Sequence, residues 1–118
     1  MTKHSLGMMG QKAAKQFLIG KGFTILKENY RLRSSEIDII AKDGDYVVFI
    51  EVKFRKGLSH GLPRESVGRT KQKRIIKAAG HFILTSGNNE QDYRFDVVEL
   101  VEMNGKTYVN HIENAFWA

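Results

Sequence analysis

Apolar and polar residues recur with two different periods along this chain, and the changes of period divide it into helix, three strands, helix, two strands. From about Leu6 to Gly20, Ala13, Ala14, Phe17 and Leu18 fall at helical spacing, so a helix is expected there with its apolar stripe against a sheet. Gly20-Lys21-Gly22 ends it, Gly22 being suited to a left-handed cap. Phe23 to Leu32 shows strand alternation, Arg33-Ser34-Ser35 reads as a turn, and Glu36 to Ala41 as a second strand. The turn signal Asp43-Gly44-Asp45 leads into a third strand, Tyr46 to Lys53. Its near-continuous apolar run from Tyr46 to Val52 belongs in the middle of a sheet with both faces covered.

Arg55 through Pro63 reads as a loop, because two glycines and a proline break both periods. A second helix follows Gly68 or Thr70 and runs to about Leu84. Its core face is Ile75, Ile76, Ala79, Phe82 and Ile83, with Lys71, Lys73, Arg74 and Lys77 largely around the other side. Thr85 to Asp92 is expected to be a loop. Tyr93 to Leu100 and Lys106 to Ile112 form the last strands, joined around Asn104-Gly105, a strong hairpin signal. The expected fold is α/β, a mixed central β-sheet flanked by α-helices. The terminal Phe116 and Trp117 either cover the sheet edge, the favoured reading, or stack a base.

At 118 residues the chain fits one domain, 1–118, with one hydrophobic core. It has no cysteine, which excludes disulfides and thiolate chemistry and agrees with a cytoplasmic location. No segment approaches the roughly 20 apolar residues that span a bilayer, so no membrane is expected.

Charge changes the picture most where it enters the strands. Glu36-Ile37-Asp38 and Glu51-Val52-Lys53 alternate charged with apolar residues on two segments joined by one turn. A turn at Asp43-Gly44 sets Glu36 opposite Glu51; a turn at Gly44-Asp45 sets Asp38 opposite Glu51 and Glu36 opposite Lys53. Either register collects all four charges on one face, and a three-residue loop would separate them.

Crowded carboxylates repel, and a hard divalent cation neutralises them simply. Asp38 and Glu51 are the candidate ligands for Mg2+ or Mn2+, and Lys53 could orient an attacking water and offset phosphoryl charge. The competing reading is a solvated hairpin with incidental pairing.

The formal net charge is +6, and its distribution is uneven. Between Lys53 and Lys77 nine lysines and arginines stand against the single acid Glu65, a run that begins at the carboxylates themselves. Phosphate backbones are the expected partner, with Arg55, Lys56, Arg69, Lys71, Lys73 and Arg74 as candidate contacts. A solvated surface or an anionic membrane is the competing reading. Asn29 and Arg31 are further candidates, or else polar residues of an edge strand. Gln11 and Gln72 are placed where each could approach the site, or are surface glutamines. His60 is read as loop surface rather than as catalytic, and Asp96, inside an apolar strand, as structural rather than metal-binding.

Gly10 with its helix, Asn29-Tyr30-Arg31, Glu36-Ile37-Asp38, Phe49-Ile50-Glu51-Val52-Lys53-Phe54-Arg55, Lys71-Gln72 with Arg74, Ala78-Ala79 and Arg94-Phe95-Asp96-Val97-Val98 occur in order over nearly the whole chain. In these pieces the chain resembles the small bacterial YraN family, which is similar to the PD-(D/E)XK nucleases near the archaeal Holliday junction resolvases. The resemblance implies a restriction-endonuclease-like core and a metal-dependent endonuclease acting on branched or structured DNA, possible as a homodimer. It implies Asp38 and Glu51 as metal ligands, Lys53 as the motif lysine, and Gln72 as a polar helix residue associated with the catalytic site. Gln11 stands where the family usually has glutamate, and Ser35 where it usually has glycine. The alternative is a nucleic-acid-binding protein that keeps the nuclease fold with weak or no catalytic activity, which Gln11 favours; a partner-binding domain is a third.

Overall fold

The computed structural model describes residues 3–56, 67–87 and 90–118. The chain runs α1 (Lys3–Gly20), β1 (Thr24–Arg31), β2 (Glu36–Asp43), β3 (Tyr46–Lys56), α2 (Arg69–Ser86), β4 (Asp92–Met103) and β5 (Lys106–Phe116). The five strands lie in one sheet in chain order, antiparallel except for the parallel pair β3–β4. The helix α2 lies within the β3–β4 connection, as a parallel pairing requires a long crossover.

The sheet is mixed and covered by helices on both faces. On one face α1 buries Ala14 and Leu18 against Ile39, Ala41, Val48, Ile50 and Val98. On the other, α2 buries Ile75, Ala78, Ala79 and Phe82 against Ile37, Ile40, Val47, Phe49, Phe95 and Val97. The alternation of Val47, Val48, Phe49 and Ile50 between these clusters is the signature of a central strand buried twice over. At Gly10 the helix comes so close that a Cβ would lie 3.3 Å from Leu100 Cδ1 and 3.4 Å from Phe54 Cβ. Glycine here brings α1 down over β3 and β4.

Local signals account for the turns. The amide of Phe23 donates to Leu18 O and that of Gly22 to Ile19 O, both at 3.0 Å, with Gly22 at φ 95°. These are the two bonds of a Schellman cap, completed by the packing of Phe23 with Leu18. Asn104 and Gly105, at φ 52° and 74°, make the two-residue turn between β4 and β5. The pairing of Asp43 with Tyr46 selects Gly44-Asp45 as the β2–β3 turn, one of the two registers the sequence allows.

Several boundaries differ from the sequence reading. Arg55 and Lys56 continue β3 beside Val101 and Glu102 of β4 instead of opening a loop; 57–66, with His60, lie outside the described residues. Thr85 and Ser86 still belong to α2, and Asp92 already pairs with Tyr46. Strand β5 continues to Phe116, which stacks on Phe95 at 5.0 Å between ring centroids, whereas Trp117 is exposed. Ala13 is exposed rather than part of the α1 core face. No helix among the described residues is long and apolar enough to cross a membrane.

Candidate functional site

The alternation of β1 and β2 breaks at one level, and the break creates the site. Glu28 and Tyr30 would share a face of a regular strand. Instead Glu28 pairs with Lys15 of α1 at 3.0 Å, while the Tyr30 hydroxyl meets His81 Nδ1 of α2 at 2.6 Å. Between them Asn29 has φ 52°, a left-handed conformation in which asparagine is tolerated, and it rolls the strand over. The partner strand follows: Ile39 packs on the α1 side and Ile37 on the α2 side, with Asp38 at the crossover.

The β2–β3 ladder ends at Ile39 and Ile50. Asp38 therefore does not face Glu51 as a ladder partner. Its Oδ2 instead accepts the Val52 amide at 2.8 Å, joining the two strands where their backbones part. Glu51, only 3% exposed, stands beside it. Burial first, and then the charge of Glu51, push the Asp38 carboxyl up to about 7 against the pull of the Val52 amide and Lys71. Asp38 thus binds and releases its proton near neutrality.

Two lysines converge on the same acid. Lys71 Nζ forms an ion pair with Glu51 Oε1, and Lys53 Nζ lies 3.9 Å from that oxygen. Burial and then Lys71 lower the Lys53 pKa, with Glu51 opposing them. For Lys71 the cost of burial is outweighed by the hydrogen bond and charge of Glu51, so its pKa is raised. Lys71 points toward the sheet end, a correction to the reading that placed it around the far side of α2. Glu36 pairs with Arg31 across β1–β2 at 3.3 Å rather than with Lys53.

Two hollows of about 650 and 800 Å³ open on this group. They share Arg31, Glu36, Asp38, Glu51 and Lys71. The smaller is closed by Arg33, Ser35 and the start of α2, the larger by Lys12, Lys15 and Gln11 of α1 together with Asn29 and Lys53. The acid pair is thus the meeting point of two basic-walled recesses.

The other sequence candidates are dispersed. Gln72 donates to Val67 O at 3.0 Å and lines neither hollow. Arg55 Nε lies 2.5 Å from Glu99 Oε1, half-buried on the sheet, so this guanidinium already has an internal partner. Arg74 lines the smaller hollow, while Lys56, Arg69 and Lys73 are exposed outside both. Lys12, Lys15 and Arg33 lie on the walls but were not singled out from the sequence. The helical spacing of Lys12 and Lys15 was the available signal. Among the described residues no three Asp, Glu, His or Cys side chains form a metal-binding group, so Asp38 and Glu51 stand as a pair.

The profile of the uncharacterised protein family UPF0102 matches residues 10–100, a stretch that contains all of the site's acids. The chain belongs to UPF0102. It is 47% identical over 120 residues to a UPF0102 protein of Chlorobium limicola, covering 97% of this chain and 93% of that one. UPF0102 proteins of Desulforapulum autotrophicum and Clostridioides difficile are 45% and 43% identical, covering 97% and 98% of this chain and 94% and 100% of theirs. Membership in UPF0102 agrees with the YraN-like motifs of the sequence.

Proposed function

We propose that this protein binds nucleic acid, DNA foremost, on a restriction-endonuclease-like core, and that the sugar–phosphate backbone is what it grips. The observation that carries this reading is the concentration of Arg31, Arg33, Lys71 and Arg74 in one hollow and Lys12, Lys15 and Lys53 in the adjoining one. Cationic walls attract phosphate without regard to base, so the protein reads backbone shape. Within the site Lys71 already neutralises Glu51, which supports binding with weak or no cleavage.

One observation favours a second reading, a metal-dependent nuclease. Asp38 is held protonatable near neutrality by burial and Glu51, so this pair of oxygen donors lacks full compensation and fits a hard cation such as Mg2+ or Mn2+. Asp38 and Glu51 would hold it, and when bound it would supply Lewis-acid activation of phosphate and water. Lys53, beside Glu51, would place an ammonium against the phosphoryl charge.

The test is anisotropy of labelled branched DNA, single-stranded DNA and RNA in EDTA, followed by cleavage assays with Mg2+ or Mn2+ on wild type, Asp38→Ala and Lys53→Ala. Binding in EDTA with little cleavage is expected. Metal-dependent cleavage lost in both variants would establish the second reading instead. Absence of binding to all three probes would reject both.

A further inference from the structure

Away from the two hollows, a buried histidine stands between a buried acid and an exposed amine. The side chain of His111 on β5 is only 3% exposed, and its ring packs edge-on against Phe17 and Phe23, at 6.1 and 5.6 Å between centroids. Its Nε2 meets Asp96 Oδ2 at 2.8 Å, and its Nδ1 meets Lys21 Nζ at 2.8 Å. An ammonium has no lone pair to offer, so Lys21 donates and Nδ1 accepts. The ring proton therefore lies on Nε2 and is donated to Asp96.

Amine, imidazole and carboxylate thus follow one another, each within hydrogen-bond reach of the next. Arg94 and the Asn114 amide fix Asp96, and Asp96 in turn fixes the ring. A base in reach of a nucleophile and oriented by a third group is the arrangement that activates nucleophiles in covalent chemistry. The Lys21 side chain is 39% exposed, so a reagent in solution reaches its amine. Phe17, with its centroid 5.4 Å from Nζ, and Glu113 Oε1, at 3.9 Å, keep the ammonium near the ring. Glu113 is outside hydrogen-bond distance, which leaves His111 as the group in position to take a proton. Around the ring, Asp43, Asp96 and Glu113 stand against Arg94 and Lys21. Passing a proton from Lys21 to His111 leaves that balance unchanged and sets the imidazolium directly against Asp96.

We infer that Lys21 is a modification site, its amine activated by His111 and Asp96 for acylation by an activated acyl group carried on phosphate or on a thiol. The Lys21 ammonium gives one proton to His111 Nδ1, and the freed lone pair attacks the acyl carbonyl carbon. A C–N bond forms, the bond from that carbon to phosphate oxygen or thiol sulfur breaks, and the leaving group departs with the bond's electron pair. The leaving group takes up the second amine proton; the first passes from His111 to water. Neither hollow includes Lys21, so the acyl donor comes from solution, and the site is independent of the nucleic-acid function proposed above.

The experiment incubates the full chain with acetyl phosphate and, separately, with acetyl-CoA, following each lysine by mass spectrometry at low conversion. Lys27, exposed on β1 with no hydrogen bond or ion pair among the described residues, is the internal reference. Lys21 should be acylated about ten-fold faster than Lys27 or more. His111→Gln keeps a donor for Asp96 and removes the base, so the Lys21 rate should drop toward that of Lys27, whose own rate holds. The thermal midpoint checks that this variant folds. Wild type in urea supplies a comparison that needs no variant, because the preference should vanish on unfolding. Preference with acetyl phosphate alone assigns an acyl phosphate donor, with acetyl-CoA alone a thioester, and with both a site that accepts either leaving group. Equal rates at Lys21 and Lys27 in folded wild type with both donors, a preference that survives in urea, or an undiminished preference in folded His111→Gln overturns the proposal.

Discussion

Asp38 and Asp96 are carboxylates of one sheet, yet their surroundings are opposite. Asp96, fully buried, accepts bonds from Arg94 Nε at 3.0 Å and Nη2 at 3.0 Å, from the Asn114 amide at 3.1 Å, and contacts His111 Nε2 at 2.8 Å. Strand β5 bulges between its pairings with Phe95 and Val97, and Asn114 at φ 52° in that bulge delivers its amide. Burial would raise the Asp96 pKa, but the bonds from His111, Arg94 and Asn114 outweigh it and the pKa is lowered. Asp38 receives one backbone amide and faces another acid. One carboxylate is fully partnered by the fold; the other is partnered by a single amide and held beside a second acid.

The contrast is broken most severely at Asp96. Asp96→Ala leaves the buried Arg94 guanidinium without its main counter-charge, and urea unfolding should show a loss of about 3–5 kcal/mol. A loss near that of a surface substitution would remove the distinction between the two acids.

Asp38→Asn should act in the opposite direction. Because the folded pKa of Asp38 is raised from 3.8 to about 7, the native state holds its proton more tightly than the unfolded chain between those values. Wild-type stability from this group therefore falls as pH rises through that window and levels off above it. The variant should be more stable than wild type by on the order of 2 kcal/mol at pH 8 and scarcely different at pH 4. Asp96, with its lowered pKa, contributes stability above 3.8 that is lost as pH falls through its folded value. Denaturant midpoints across pH for Asp38→Asn and wild type would show the window, and a pH-independent difference would contradict it.

Smaller effects sharpen the comparison. Ser35→Ala removes a buried hydroxyl that has no hydrogen-bond partner among the described residues and should stabilise by about 1 kcal/mol in thermal or urea unfolding. Lys15→Ala breaks the partly exposed pair with Glu28 and should change stability by only about 0.5 kcal/mol, read in the same assay.

Much of the scaffold was legible because its determinants are local. The apolar run Tyr46 to Val52 marks the central strand, Gly22 the α1 cap, and Asn104-Gly105 a turn. The site was only partly legible. Strand period brought Glu36, Asp38, Glu51 and Lys53 to one neighbourhood, and all four line the larger hollow. Period two could not foresee the roll at Asn29, which depends on Lys15 holding Glu28 on one face and His81 and Phe82 holding Tyr30 on the other. Lys71 and Arg55 were read as outward cations because Glu51 and Glu99, their partners, are distant in sequence.

The most direct test of a backbone-gripping site between two basic hollows is the salt dependence of DNA affinity in EDTA for wild type, Arg74→Gln and Asp38→Asn. Affinity should fall steeply with salt, Arg74→Gln should flatten the log–log slope by about one, and Asp38→Asn should bind at least as tightly as wild type. A salt-independent affinity, or slopes identical in wild type and Arg74→Gln, would contradict it.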